Sequence, residues 1–71
     1  MAKSKILISF GNNVRALRKM RGLSQEELSF KADLHRTYIG MIERGEKNIT
    51  LTNIEKICKA LNVNLKELFD A

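Results

Sequence analysis

Two glycines, Gly22 and Gly45, bracket the segment that most restricts how this 71-residue chain can fold. Just after the first lies Ser24-Gln25-Glu26-Glu27, a capping box. The serine hydroxyl of such a box takes the amide three residues on, and the glutamate there reaches back to the serine amide. Leu28 and Ala32 follow one turn apart, so the helix has an apolar side, and Asp33, which tolerates a positive φ, suits its end. A second short helix is expected over residues 36–44, with Ile39 and Ile42 inward and Gly45 as its left-handed stop. Only Asp33-Leu34-His35 separates the two. Helices joined this tightly cross steeply, as in a helix-turn-helix. The second presents Arg36, Thr37, Gly40, Met41 and Arg44 outward, a face suited to a major groove about 12 Å wide.

The remaining sequence supplies three more helices. Leu7, Phe10, Val14 and Leu17 recur at steps of three and four, which predicts a first helix over about 6–21. Lys19 and Arg21 suit its C-terminal dipole, Gly22 its left-handed cap, and Leu23 packs back. Gly11 stands inside it as a weak point, costing up to about 1 kcal/mol relative to alanine. Thr50 caps a fourth helix carrying Leu51, Ile54, Ile57, Cys58 and Leu61, with Asn62 at its end. Asn64-Leu65-Lys66-Glu67 is a second capping box, opening a short fifth helix with Leu68 and Phe69. With no proline and no strand pattern, the expected fold is all-α and compact, one five-helix domain over residues 1–71.

Charge is uneven. Residues 1–36 hold eight Lys/Arg against three Asp/Glu, and residues 37–71 five against five. A basic half favours a polyanionic partner, nucleic acid before membrane, although solubility alone accounts for charge of this size. The start Lys3-Ser4-Lys5-Ile6-Leu7-Ile8 is too short for a signal-peptide core, and no stretch approaches the roughly 20 apolar residues of a membrane span. The single cysteine, Cys58, excludes an internal disulfide and suits a reducing, cytoplasmic setting. One Cys and one His make no metal set, and no nucleophile–base pair or phosphate loop is present. No metal, cofactor, catalytic residue or small-molecule ligand is expected.

Arg18, Gly22-Leu23-Ser24-Gln25-Glu26-Glu27-Leu28, Leu34, Tyr38-Ile39 and Ile42-Glu43-Arg44-Gly45 together resemble the phage-repressor, Cro/C1-type helix-turn-helix family. Residues 54–63 and Leu68-Phe69 are similar to that family's fourth helix and its end, so the resemblance covers about residues 10–69. His35-Arg36-Thr37-Tyr38-Ile39, Glu43-Arg44-Gly45 and Asn48-Ile49 are similar, more narrowly, to controller proteins of restriction–modification systems. The resemblance implies a lambda-repressor-like fold and a regulator that binds a palindromic operator in double-stranded DNA. Controllers of this kind activate or repress their own operon. A prophage-type repressor, or an antitoxin or adaptor that binds protein with the same fold, stands as the alternative. A basic first helix lying on a membrane surface is a more distant one.

Residue roles follow. Arg36 can fork onto guanine O6 and N7, and Thr37 can meet a base edge. An arginine at the positive end of a helix dipole suggests a reason outside the fold. Tyr38, grouped with the base readers, either reaches DNA with its hydroxyl or packs at the domain edge. Met41 either meets a thymine methyl or fills space against the second helix. Ser24 and Gln25 open the second helix, whose N-terminus favours a phosphate. The resemblance implies that Gln25 buttresses the DNA backbone and touches the recognition helix. It also places Arg44, Lys47 and Asn48 along the phosphates, and makes Arg18 and Glu43 a structural salt bridge. Lys19, Arg21 and Lys31 are read as a diffuse positive field. His35 departs from the Ser, Thr or Asp usual at that cap, and Ser29 and Asp33 stand where Ala and Gly are common. One recognition helix reads few base pairs, so a homodimer spanning half-sites about 34 Å apart is expected. Ile49, Leu51, Val63, Leu65, Leu68 and Phe69 are its candidate interface, or else they close a monomer core. RNA polymerase is a further candidate partner, with Glu26 the residue to touch it.

Overall fold

The computed structural model describes residues 4–69. The expected basic start at Lys3 and the outer limits of the 1–71 domain lie outside the described residues. Five helices follow in order: α1 Lys5–Met20, α2 Gln25–Ala32, α3 Arg36–Glu43, α4 Leu51–Leu61 and α5 Leu65–Phe69. No strand occurs among the described residues.

The starts are set by side chains. Ser24 Oγ accepts the Glu27 amide at 3.0 Å, and Glu27 Oε1 accepts the Ser24 amide at 2.9 Å. The Ser24 backbone amide, helped by the Ser24 hydroxyl, holds the Glu27 carboxyl below the usual carboxylate range. Asn64 and Glu67 repeat the reciprocal pair at α5 with bonds of 3.0 and 3.2 Å. Thr50 Oγ1 accepts the Asn53 amide at 3.2 Å. The surprise is His35. Expected to be a poor cap, it is the N-cap of α3, with Nδ1 accepting the Thr37 amide at 3.1 Å. An imidazole nitrogen with a free lone pair can do what a short oxygen side chain does.

The first four helices end alike. A left-handed residue follows each within two positions of its last helical residue: Gly22 (φ 69°), Asp33 (56°), Gly45 (71°) and Asn62 (57°). At α1, the Leu23 amide donates to Arg18 O and the Gly22 amide to Lys19 O, at 3.1 and 3.0 Å. The same two-bond closure recurs on Ser29 and Phe30, Met41 and Ile42, and Cys58 and Lys59. Two side chains then cap distant helices. Arg21 Nε donates to Leu61 O at 2.9 Å, and Asn13 Nδ2 to Leu68 O at 2.8 Å. Arg21 therefore makes a defined contact and is not merely part of a positive field.

α1 packs on α3 and α5, α2 on α3 and α4, and α4 on α5. Val14, Leu28, Ile39, Ile57, Leu61 and Leu68 are fully buried between them. Leu7 and Leu17 are only half-buried, so the inner stripe of α1 runs through Phe10, Gly11, Val14 and Arg18. Cys58 is a buried core residue, and burial pushes its thiol up, away from the reactive thiolate. Leu68 leaves the candidate interface: it is 0 % exposed in the single chain and offers a partner no surface.

Gly11 reverses an expectation. A Cβ there would lie 2.2 Å from Ile42 O and 2.9 Å from Glu43 O, both backbone atoms at the end of α3. The glycine lets the two helix backbones touch, which outweighs its poor helix propensity. Gly11→Ala should lose about 1–3 kcal/mol by overpacking. Gly22→Ala meets open space and only a strained φ, and should lose about 1 kcal/mol. Thermal melts should rank Gly11→Ala well below Gly22→Ala, and the reverse order would remove the close approach.

Candidate nucleic-acid interface

The site rests on one buried carboxylate. Glu43, in the last turn of α3, is 2 % exposed. Its Oε2 accepts Arg18 Nε at 2.7 Å, while Oε1 accepts Arg18 Nη2 and Gln25 Nε2, each at 3.0 Å. Arg15 Nε approaches Oε1 at 3.4 Å. Arg18 also donates Nη1 to Leu23 O at 2.8 Å. One acid thus joins α1, the α1–α2 turn, α2 and α3. Burial pushes the Glu43 carboxyl up. The hydrogen bonds from Arg18 and Gln25, with the Arg18 charge and Arg15, outweigh it and leave the carboxyl below its usual range. The Glu43 hydrogen bond raises Arg18 in turn. No buried side-chain polar atom among the described residues lacks a partner.

Gln25 is the α2 arm of this cluster. Its amide turns inward to Glu43, so the side chain touches the recognition helix, as the resemblance implies. Gly40, expected on the outer face, is buried: a Cβ there would sit 3.1 Å from Arg44 Nη1 and 3.7 Å from Gln25 Oε1. The small residue makes room for both side chains. Ser24, Gln25, Arg36, Thr37 and Arg44 line the open groove above it.

Arg36 and Thr37 are exposed on the first turn of α3. Arg36 Nη1 bonds Glu26 Oε2 at 3.0 Å across from α2. That supplies a local counter-charge for a cation at the wrong end of a helix dipole, so the reason is not wholly outside the fold. It also engages Glu26, the residue expected to touch RNA polymerase. Met41 is half-buried, between its two readings. Tyr38 packs its ring against the core, and its hydroxyl accepts Asn53 Nδ2 at 3.1 Å. The phenolic proton is not used in that bond. Arg44 Nε pairs with Glu46 Oε1 at 3.0 Å, and Lys47 and Asn48 stand exposed in the loop beyond. Ser29 Oγ donates to Glu26 O at 2.7 Å and so fits inside α2.

Sequence reasoning missed Arg15, the His35 cap, the Glu26–Arg36 pair and Asn53. Arg15 had a readable signal, since it lies one turn before Arg18 on the same side of α1. The others depend on how helices distant in sequence meet. Among the described residues no His, Cys, Asp or Glu group of three or more is placed to hold a metal ion. No helix of the described residues is long and apolar enough to cross a membrane.

Comparison with known proteins gives this geometry a context. The profile of the HTH_3 family, Helix-turn-helix, matches residues 14–68. The chain is 53 % identical over 68 residues to the control protein C.BamHI of Bacillus amyloliquefaciens, across 94 % of this chain and 84 % of that protein. It is 48 % identical over 65 residues to the control protein C.MunI of a Mycoplasma species, across 90 % and 88 %. The crystal structure of the restriction–modification controller protein C.AhdI from Aeromonas hydrophila superposes with a TM-score of 0.87 at 48 % identity, covering 89 % of this chain and 96 % of that one.

Removing Glu43 leaves Arg18 buried and unpaired. Glu43→Ala should cost about 3–5 kcal/mol, read as a lower urea midpoint. The pH dependence has a definite sign. A carboxyl held below its unfolded value contributes fully above about pH 4–5, and that share is lost as pH falls through the depressed folded value. Acid titration of stability should therefore be steeper in the wild type than in Glu43→Gln, with little difference in slope at neutral pH.

Proposed function

We propose that this chain, which belongs to the Cro/C1-type helix-turn-helix family, is a sequence-specific regulator of restriction–modification controller type. The family's work is DNA-binding transcription regulation. The observation that carries the reading is the outer face of α3, exposed at Arg36 and Thr37 and clamped from behind through Glu43. A helix so held can enter a major groove with its first-turn side chains at the base edges. Arg44, Lys47 and Asn48 follow it along the phosphates, where contacts position the protein without reading sequence. The Ser24 hydroxyl and the backbone amides of Gln25 and Glu26, at the start of α2, meet the same strand.

The regulator works as a homodimer on a palindromic operator. Leu51 (79 % exposed), Leu65 (49 %) and Phe69 (44 %) form an apolar surface on α4 and α5, with Ile49 and Val63 half-buried beside them. Leu51, Glu55, Cys58 and Leu65 line a hollow there that a second copy can fill. Phe69 is partly committed already, its ring 5.2 Å from Phe10. A two-fold axis through this face presents two α3 helices to one side of a duplex. Bound near a promoter in the cytoplasm, such a dimer blocks or recruits RNA polymerase at its own operon.

Titration against duplexes selected from a random pool tests this. Affinity should fall steeply with salt, and a dyad-symmetric duplex should be preferred by about 10³-fold or more. Arg36→Ala should cost about 1–3 kcal/mol and relax preference at one base pair in each half-site. Absence of any preferred duplex would overturn the regulatory reading. Leu51→Glu should shift sedimentation from dimer to monomer and weaken operator binding while leaving the helical spectrum intact; an unchanged dimer would move the interface elsewhere.

A further inference from the structure

We infer that Glu26 is a specificity-determining positioning residue: its ion pair with Arg36 holds the guanidinium so that one edge stays free to read a base. The inference rests on the DNA-binding reading above. Glu26 stands in the first turn of α2 and Arg36 in the first turn of α3, and the short turn between the helices brings the two together. The bond uses Nη1 alone, at 3.0 Å to Oε2. Nε and Nη2 carry no bond to any described residue, and that edge alone offers the two parallel donors of a fork onto guanine O6 and N7. Both side chains are well exposed, 67 % for Arg36 and 72 % for Glu26, and both line the groove over Gly40. The pair is therefore part of the surface that meets DNA and not of the core.

The physical effect is on discrimination. A free arginine on a surface sweeps many rotamers and binds any phosphate within reach. Tethered by Nη1, Arg36 has fewer positions to lose when it meets a guanine. The Glu26 carboxylate, close by, is repelled by every phosphate, which weakens binding to duplexes that give Arg36 no paired acceptors. Glu26 acts through Arg36, so its influence should vanish when the guanidinium is absent.

The experiment is a double-mutant cycle on the full chain, with Glu26→Gln, Arg36→Ala and both together. The probes are the duplex that the wild type selects from a random pool and a scrambled duplex of equal length. Glu26→Gln should lower the ratio of selected to scrambled affinity by about two- to five-fold, the range of an exposed ion pair. The loss should shrink as ionic strength rises. In the Arg36→Ala background the same substitution should leave the ratio unchanged. Melting temperature serves as the control, since the exposed pair contributes little to folding. Equal loss in both backgrounds, or none in either, overturns the inference while the regulator reading stands. A wild type that selects no duplex overturns both.

Discussion

Everything in this small fold that faces outward with purpose depends on a carboxylate that faces inward. Glu43 ends the recognition helix, and its two oxygens take hydrogen bonds from α1 and α2. A lone ion at that depth would be strongly unfavourable. Arg18, itself nearly buried, answers the charge, and its remaining Nη1 finds Leu23 O. A buried ion pair adds little net stability over a well-packed apolar pair, but it tolerates few alternative arrangements. Orientation of α3 is what this pair fixes, and a helix that reads base edges requires fixed orientation.

Much of the fold was legible because helix ends are written in local chemistry. Ser24, Thr50 and Asn64 marked starts, and Gly22, Asp33, Gly45 and Asn62 marked ends. Each signal concerns atoms within a few residues of one another, and each lies where it was read. His35 fell outside that vocabulary, since imidazole rarely caps, although its Nδ1 has the lone pair the job needs. The inner stripe of α1 was half read: the periodicity found Phe10 and Val14 and set Arg18 one turn on, at the flank, but gave no hint that Gly11 belongs to it.

The candidate site was legible in membership and less so in posture. The residues named for DNA contact do gather around α2 and α3, and Gln25 touches α3 as the resemblance implies, yet Tyr38 is tied to Asn53 and Gly40 is covered. These outcomes depend on distances between helices far apart in sequence, which no periodicity encodes. The apolar residues of α4 and α5 divide in the same way. Leu68 and Leu51 share a hydrophobic character, but one is wholly enclosed and the other almost wholly bare. Helical spacing alone could not sort them, because the fifth helix is too short to show a face.

The contact at Gly11 has a consequence for how such a protein diversifies. There the backbone of α1 rests on the carbonyls of Ile42 and Glu43. Main-chain atoms are common to every residue type, so this seat for the recognition helix is indifferent to the side chains on its far side. Positions 36 and 37, exposed on that far side, can accept new residues without the scaffold repacking. A helix on this seat can change the surface it turns outward while keeping how it stands.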